Sequence, residues 1–255
     1  MNNDTVIRVE NFTAAYKETV ILTNMTFDVN RGEVFVILGG SGSGKSTLLK
    51  HMIGLYTPAA GRILIDGEDI GAAAADDRVR ILQKIGVMYQ SGALFGSMTL
   101  LENVCLPLEE FTDLPLEAMN LIAMMNLKVV GLNAFANRMP AELSGGMKKR
   151  AAIARAMVLD PVILFLDEPS AGLDPITSAE LDQLILRLNH SLGITFVVVT
   201  HELPSIFTIA DRVLMLDARV KGVGEIGAPA YLRDHSDKAW IRHFFNREVT
   251  SEVRT

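Results

Sequence analysis

Cysteine is nearly absent from this chain: its 255 residues include one, Cys105, in an apolar stretch. A single thiol closes no internal disulfide, which suits a reducing cytoplasm and leaves Cys105 reading as a small buried hydrophobe. Long apolar runs are missing too. No stretch reaches the roughly 18 residues expected of a membrane span, and the longest candidate, Ile194 to Thr200, fits a buried strand. Met1-Asn2-Asn3-Asp4-Thr5 has neither a basic nor an apolar leader segment, so no signal peptide is expected. Positive charge is in deficit: 24 Lys and Arg face 30 Asp and Glu, for a net charge of −6 and a pI near 5.4. That lacks the basic footprint of a nucleic-acid binder. Internal repeats and low-complexity tracts are absent as well. With 49% hydrophobic residues, the chain is long enough for one large soluble domain or two lobes with a sizeable core.

What is present centres on Gly39-Gly40-Ser41-Gly42-Ser43-Gly44-Lys45-Ser46-Thr47. The stretch follows an apolar run, Val34 to Leu38, and precedes the helical pattern Leu48 to Ile53. Strand, glycine loop and helix in that order match the phosphate-cradling motif. The glycines let consecutive N–H groups turn inward, and the helix aims its positive end at the same anion. Lys45 would reach the β- and γ-phosphates, and the Ser46 hydroxyl would ligate Mg²⁺. A flexible Gly/Ser linker is the bland alternative, but a linker does not join a buried strand to a helix and end in Lys-Ser-Thr.

Around this loop the chain reads as α/β. Residues 5–9 and 25–29 alternate as half-buried strands, with a turn at Asn30-Arg31-Gly32. Arg62 to Ile65 and Ile85 to Tyr89 read as further strands, the latter ending at Gln90, and Gly71 to Leu82 as a helix. From Thr99 to Leu159 helical periodicity takes over, with breaks expected at Pro107, Pro115, Gly131 and Pro140. The methionines there read as core or interface packing. Near-continuous apolar runs then return at residues 162–166, 195–199 and 212–216, as parallel strands covered on both faces do. Ser178 to Ser191 is the helix between the first two. The pattern is an α/β fold with a helical insertion.

The run Val162 to Leu166 ends in Asp167-Glu168. A parallel strand delivers such residues to the ligand edge of its sheet. Asp167 there can hold Mg²⁺ beside Ser46, and Glu168 can act as general base on the attacking water. Taken alone, two acids after a strand read more readily as helix caps; beside a phosphate loop the catalytic reading takes over. Leu143-Ser144-Gly145-Gly146-Met147 forms a second small-residue helix start suited to an anion. Its plain alternative is a cap at Ser144 followed by a solvated basic face of Lys148, Lys149 and Arg150.

Together these motifs resemble the ATP-binding subunit of an ABC transporter, from Val6 to about Gly227. The family's motifs stand in order: Walker A at Gly39–Ser46, a Q-loop glutamine at Gln90, the signature at Leu143–Met147, Walker B ending at Asp167 and a glutamate at Glu168. The D-loop is Ser170 to Asp174 and the switch histidine is His201. The resemblance implies a P-loop NTPase (RecA-like) core with an N-terminal antiparallel β subdomain and an inserted α-helical subdomain. One cassette then fills 1–255: residues 1–90 and 160–227 form the core with its β subdomain, 91–159 the helical subdomain and 228–255 a C-terminal helical tail. It also implies ATP and Mg²⁺ as cofactors. Glu168, His201 and Gln90 are then catalytic, and Ser46, Gln90 and Asp167 face the metal. Tyr16, Gly39 through Thr47, Ser144, Gly145, Gly146 and Asp174 contact nucleotide. Tyr16 stacks on adenine, and two cassettes pair head to tail so that Ser144–Gly146 of one meet the γ-phosphate held by the other.

Finer features are similar to the ATPases of Mla/Mce-type phospholipid transporters: Gln90 to Phe95, Glu102-Asn103-Val104, Met139 to Met147 with Arg150-Ala151-Ala152, and Asp174 to Thr177. Met147, where the wider family has Gln, belongs to that subgroup's pattern. The likeness implies an MlaE-like permease, an MCE-domain (MlaD-like) protein and a STAS-domain (MlaB-like) subunit. Phospholipid would be the cargo moved between inner and outer membranes, with the cassette on the cytoplasmic face of the inner membrane and no nucleic acid. The alternatives are the ATPase of another ABC importer or exporter, or a soluble ABC ATPase. The tail Trp240 to Asn246 reads as a short amphipathic helix packed on its own core or a neighbouring cassette, and with the sequence ending at Thr255 a long exchanged tail is not expected.

Overall fold

Apolar runs that do not alternate become the central strands, because both of their faces are covered. In the computed structural model, which describes residues 5–248, two long bulged strands come first, β1 (Thr5–Tyr16) and β2 (Thr19–Asn30). They are followed by β3 (Val34–Gly39), α1 (Lys45–Met52), β4 (Ala60–Ile65), the short β5 (Glu68–Asp69), α2 (Ala75–Gln83) and β6 (Ile85–Met88). Helices α3 (Leu100–Phe111), α4 (Leu116–Val129) and α5 (Gly145–Met157) come next. Strand and helix then alternate through β7 (Ile163–Asp167), α6 (Pro175–Leu192), β8 (Thr195–Val199), α7 (Leu203–Ile209) and β9 (Arg212–Asp217). The last described elements are β10 (Gly222–Gly227), α8 (Pro229–His235) and α9 (Ala239–Asn246). The leader expectation for Met1–Asp4 and the last part of the tail, 249–255, lie outside the described residues.

Two sheets result. The first is antiparallel, in the order β2-β1-β4-β5. The second runs β10-β9-β3-β8-β7-β6, parallel from β9 to β6 with β10 antiparallel at one edge. Alternate residues of its strands feed two cores. Val36, Leu38, Leu164, Leu166, Phe196 and Val198 pack with α3 to α9. Phe35, Ile37, Phe165, Val197 and Val199 pack with α1 and the antiparallel sheet. This is the P-loop NTPase architecture that the motifs imply, with an antiparallel β layer and a helical insertion between β6 and β7.

The structure departs from the sequence reading in places. Pro107 does not break a helix; it sits inside α3. Its missing N–H costs about 3 kcal/mol. Against that stand the reciprocal cap of Thr99 and Glu102 and the burial of Val104, Cys105 and Leu108, each buried apolar side chain worth about 1.5–3 kcal/mol. Packing wins. Burial also pushes the Cys105 thiol up to about 11, in keeping with a hydrophobe's role. The helix expected from Gly71 begins only at Ala75, because Gly71 and Ala72 donate their N–H groups to Asp69 in a turn. The edge strand β10 was not foreseen: its glycines and its place at the end of the sheet leave little apolar pattern. The amphipathic α9 buries Ile241 and Phe245 in the chain's own core.

Phe165 lies fully buried in the middle of the parallel sheet. Phe165→Ala should lower unfolding stability by about 3–5 kcal/mol in urea titration; a loss below about 1 kcal/mol would show that the sheet's centre is not the main core.

Candidate functional site

The phosphate loop leaves β3 and enters α1 by way of glycines, two of which, Gly42 and Gly44, hold a left-handed backbone that side chains rarely adopt. Gly44 has φ 97°, and a Cβ there would lie 2.8 Å from Leu22 Cδ2. The loop closes with Ser43 N–H donating to Gly40 O at 3.2 Å. Ile21 and Gly42 through Thr47 line a cavity of about 310 Å³, open to solvent. Lys45 Nζ donates to the Gly39 and Gly40 carbonyls at 2.8 and 3.0 Å, which holds the ammonium at the loop. Ser43 Oγ is buried with no hydrogen-bond partner in the protein, an orphan an anion would satisfy. Tyr16 is exposed at the end of β1, edge-on to Tyr56 with ring centroids 5.6 Å apart, and does not line this cavity.

Strand register places the rest of the chemistry beside the loop. Val199 of β8 is level with Ile37 of β3 on one side and Asp167 of β7 on the other. The residues that follow each strand therefore emerge at one sheet edge: Gly40–Gly44, Glu168 and Thr200–His201. Glu168 adopts φ 47°, unusual for a residue with a side chain. Its N–H donates to Val199 O at 2.8 Å, and its Oε1 lies 2.9 Å from His201 Nδ1. Glu168 Oε2 is buried and unpartnered. Burial, and then the neighbouring Glu168 charge, raise the Asp167 carboxyl above its ordinary value, opposed by Lys50, Lys149 and Lys45. Gln90 follows β6, whose Met88 is level with Leu166, so it reaches the same edge three strands from the loop, with β8 and β7 between.

The second small-residue helix start faces elsewhere. Ser144 caps α5, its Oγ accepting from Met147 N–H at 3.3 Å. Gly146 is required by contact: a Cβ would lie 2.3 Å from Thr177 Cγ2. Asp174 caps α6, accepting from Ile176 N–H, Thr177 N–H and Thr177 Oγ1, the last at 2.6 Å; Thr177 holds its carboxyl below the usual range. Ser144 to Gly146 and Asp174 are thus neighbours of one another, and none of them lines the phosphate-loop cavity. One chain does not bring its two candidate anion sites together.

Two residues escaped the sequence reading. Lys149, expected on a solvated face, is only 6% exposed and donates to the backbone carbonyls of Gln90 and Glu168, the latter at 3.2 Å. A run of three cations hides which one points inward, and only the helix phase against Ala152 and Ile153 would have told them apart. Asp182, 5% exposed, falls with Ser178, Ile185 and Asn189 on the buried face of α6. Burial raises its pKa to about 6, Ser205 opposing by hydrogen bond and Glu202 adding to the rise. Ser178 Oγ donates to Glu202 Oε2 at 3.4 Å, so this polar cluster ties α6 to the segment that carries His201.

A phosphate loop, paired carboxylates at a strand end and a histidine against the second carboxylate define a nucleotide-hydrolysing P-loop protein. The comparisons are specific about which. The family described as ABC transporter matches residues 22–171, and the chain belongs to that family. It is an ABC-type ATPase. The chain is 44% identical over 240 residues to the probable ribonucleotide transport ATP-binding protein mkl of Mycobacterium leprae, covering 94% of this chain and 68% of that protein. It is 42% identical over 209 residues to the intermembrane phospholipid transport system ATP-binding protein MlaF of Haemophilus influenzae, covering 82% of this chain and 79% of that protein. Among solved structures, a dimeric post-hydrolysis state of the ATP-binding cassette MJ0796 bound to ADP and Pi superposes with a TM-score of 0.78 at 35% identity, covering 87% and 98% of the two chains.

Asp182 generates a pH test. Its folded pKa, about 6, stands above the ordinary 3.8, so the folded state binds the extra proton between those values. The stability linked to that proton is present below pH 4 and is lost as pH rises through 6. Asp182→Asn should therefore be more stable than wild type at pH 8, by up to about 3 kcal/mol, and nearly equal at pH 4. Urea titrations at the two pH values check this; a variant less stable at pH 8 would mean that the ionised carboxylate is needed.

Proposed function

We propose that this ATPase works as a head-to-tail homodimer in a membrane transporter that moves phospholipid between the inner and outer membranes. The observation that carries the reading is the convergence of the phosphate loop, Asp167, Glu168 and His201 on one sheet edge while Ser144–Gly146 stand apart. A second copy has to supply the missing anion contacts. In the proposed division, residues 1–90 and 160–227 form the core with its β layer, 91–159 the helical lobe and 228–255 the tail.

In this reading the loop N–H groups and the N-terminus of α1 bind the ATP phosphates, and Lys45 shifts from its own loop carbonyls to the β- and γ-phosphates. Ser43 Oγ and Thr47 complete the cradle, Tyr16 stacks on the base, and Asp174 joins its own chain's Ser144–Gly146 in facing the nucleotide held by the opposite copy. The donors fit Mg²⁺: the Ser46 hydroxyl, the Asp167 carboxylate and the Gln90 amide oxygen are hard oxygen ligands, with phosphates and water completing the shell. Bound there, the ion would neutralise charge on the transferring phosphoryl group. Glu168 takes a proton from the water that attacks the γ-phosphorus as the bond to ADP breaks. His201 holds that carboxylate through Oε1 and leaves Oε2 free to act.

The cargo rests on MlaF similarity and on the Gln90–Phe95 and Met139–Met147 segments. It brings with it an MlaE-like permease, an MCE-domain protein, a STAS-domain subunit and a place on the cytoplasmic face of the inner membrane. Among the described residues no helix is long and apolar enough to cross a membrane, so the cassette would sit against its permease. The mkl match, which extends over 94% of the chain, favours a second reading in which a ribonucleotide is moved. The cassette does the same work in either.

Glu168→Gln should lower kcat by about 10²-fold or more while an ATP-bound dimer accumulates; unchanged turnover would remove Glu168 as the base. Lys45→Ala should lose ATP binding in titration calorimetry, and retained affinity would count against the loop. Mass spectrometry of the complex copurified with this chain should find phospholipid and an MCE-domain protein. A bound ribonucleotide with neither of them would favour the second reading.

A further inference from the structure

A lysine buried to 94% needs a reason, because taking an ammonium out of water costs several kcal/mol unless its donors are matched. Lys149 has two matches, and both are backbone carbonyls of residues in the proposed reaction: Gln90 and Glu168. Asp167, Glu168 and Glu202 favour its charge, against the burial that pulls its pKa down. The Glu168 peptide is therefore held from both ends, its N–H by Val199 O at 2.8 Å and its carbonyl by Lys149 at 3.2 Å. That grip falls on a residue with φ 47°, a left-handed conformation that costs about 1–2 kcal/mol for a side-chain-bearing residue and persists only where the surroundings impose it. The same helix grips the stretch after Gln90 once more, Arg155 donating to Gly92 O and Ala93 O at 2.9 and 2.8 Å.

We infer that Lys149 is a positioning residue for ATP turnover, locking Gln90 and Glu168 to the helix that begins at the Ser144–Gly146 anion site. The inference rests on the hydrolysis reading above. It adds that α5 joins two sites: its first turn faces the opposite copy's nucleotide, and one turn later it sets the carboxylate that acts on its own. Lys149 touches no substrate, so its removal leaves the phosphate loop intact and acts on the chemical step alone.

The test compares the full-length wild type, Glu168→Gln, Lys149→Met, Lys149→Arg and Lys149→Gln, with steady-state ATPase kinetics and binding of a fluorescent ATP analogue. Lys149→Met should lose about 10- to 100-fold in kcat, the scale of a misplaced catalytic group, with KM and analogue affinity within about 2-fold of wild type. Lys149→Arg, which keeps a multi-donor cation, should recover most of the rate, and Lys149→Gln should fall between Arg and Met. If Lys149→Met does not fold, the order wild type, Arg, Gln in kcat at constant KM decides. A folded Lys149→Met or Lys149→Gln with wild-type kcat overturns the inference, as does a loss shared equally by kcat and affinity. Wild-type turnover lost in Glu168→Gln keeps the hydrolysis reading standing whichever way Lys149 falls; a wild type without turnover overturns both.

Discussion

The whole site depends on strand register in the parallel sheet. Ile37, Val199 and Asp167 are level across three adjacent strands, so three loops from distant parts of the sequence leave the sheet at the same height. A slip of one residue in any strand would exchange its two faces. Phe165 would leave the core it shares with Ile37 and Val197, and Leu164 and Leu166 would leave the one they share with Val36 and Val198. Because both faces are buried, both penalties apply at once. The register that places the chemistry is therefore enforced by the cores and not by the polar residues at the edge.

Those polar residues stand in an expensive arrangement. Glu168 carries a positive φ and an unpartnered buried oxygen, Ser43 Oγ is also orphaned, and Asp167 has its carboxyl raised by burial and by Glu168. None of this stabilises the fold. Groups left unsatisfied inside an otherwise well-bonded protein are what a bound anion and an attacking water would complete, and the hydrophobic sheet tolerates them because its own packing is large.

Much of this was legible in the sequence. The phosphate loop announces itself because glycine spacing, a preceding apolar strand and a following helix are all local features. Parallel strands showed as unbroken apolar runs, and the carboxylates were found because they end one. What escaped depends on three-dimensional neighbours. Pro107 reads as a break until the cap at Thr99–Glu102 and the packing of α3 are counted. The inward turn of Lys149 and the raised carboxyl of Asp182 depend on helix phase within a core whose other members lie far along the chain. Tyr16 was placed by resemblance alone, and its exposed position beside Tyr56 comes from a strand end that no periodicity fixes.

In the proposed dimer, the separation of the two candidate anion sites has a mechanical consequence. Gly146 is pressed against Thr177, and Asp174 caps the helix that carries Thr177, so the signature turn is braced on the D-loop of its own chain. From there α5 runs inward to Lys149, whose acceptors belong to the residues that would meet the other nucleotide. A displacement of the signature turn cannot be absorbed locally, since a helix with Ala151 to Ala154 fully buried moves as a unit. Closing one site would therefore press on the carboxylate of the second. Two ATP sites built from the same pair of chains would then communicate through α5 without a dedicated messenger, because each chain lends its helix start to one site and its glutamate to the other.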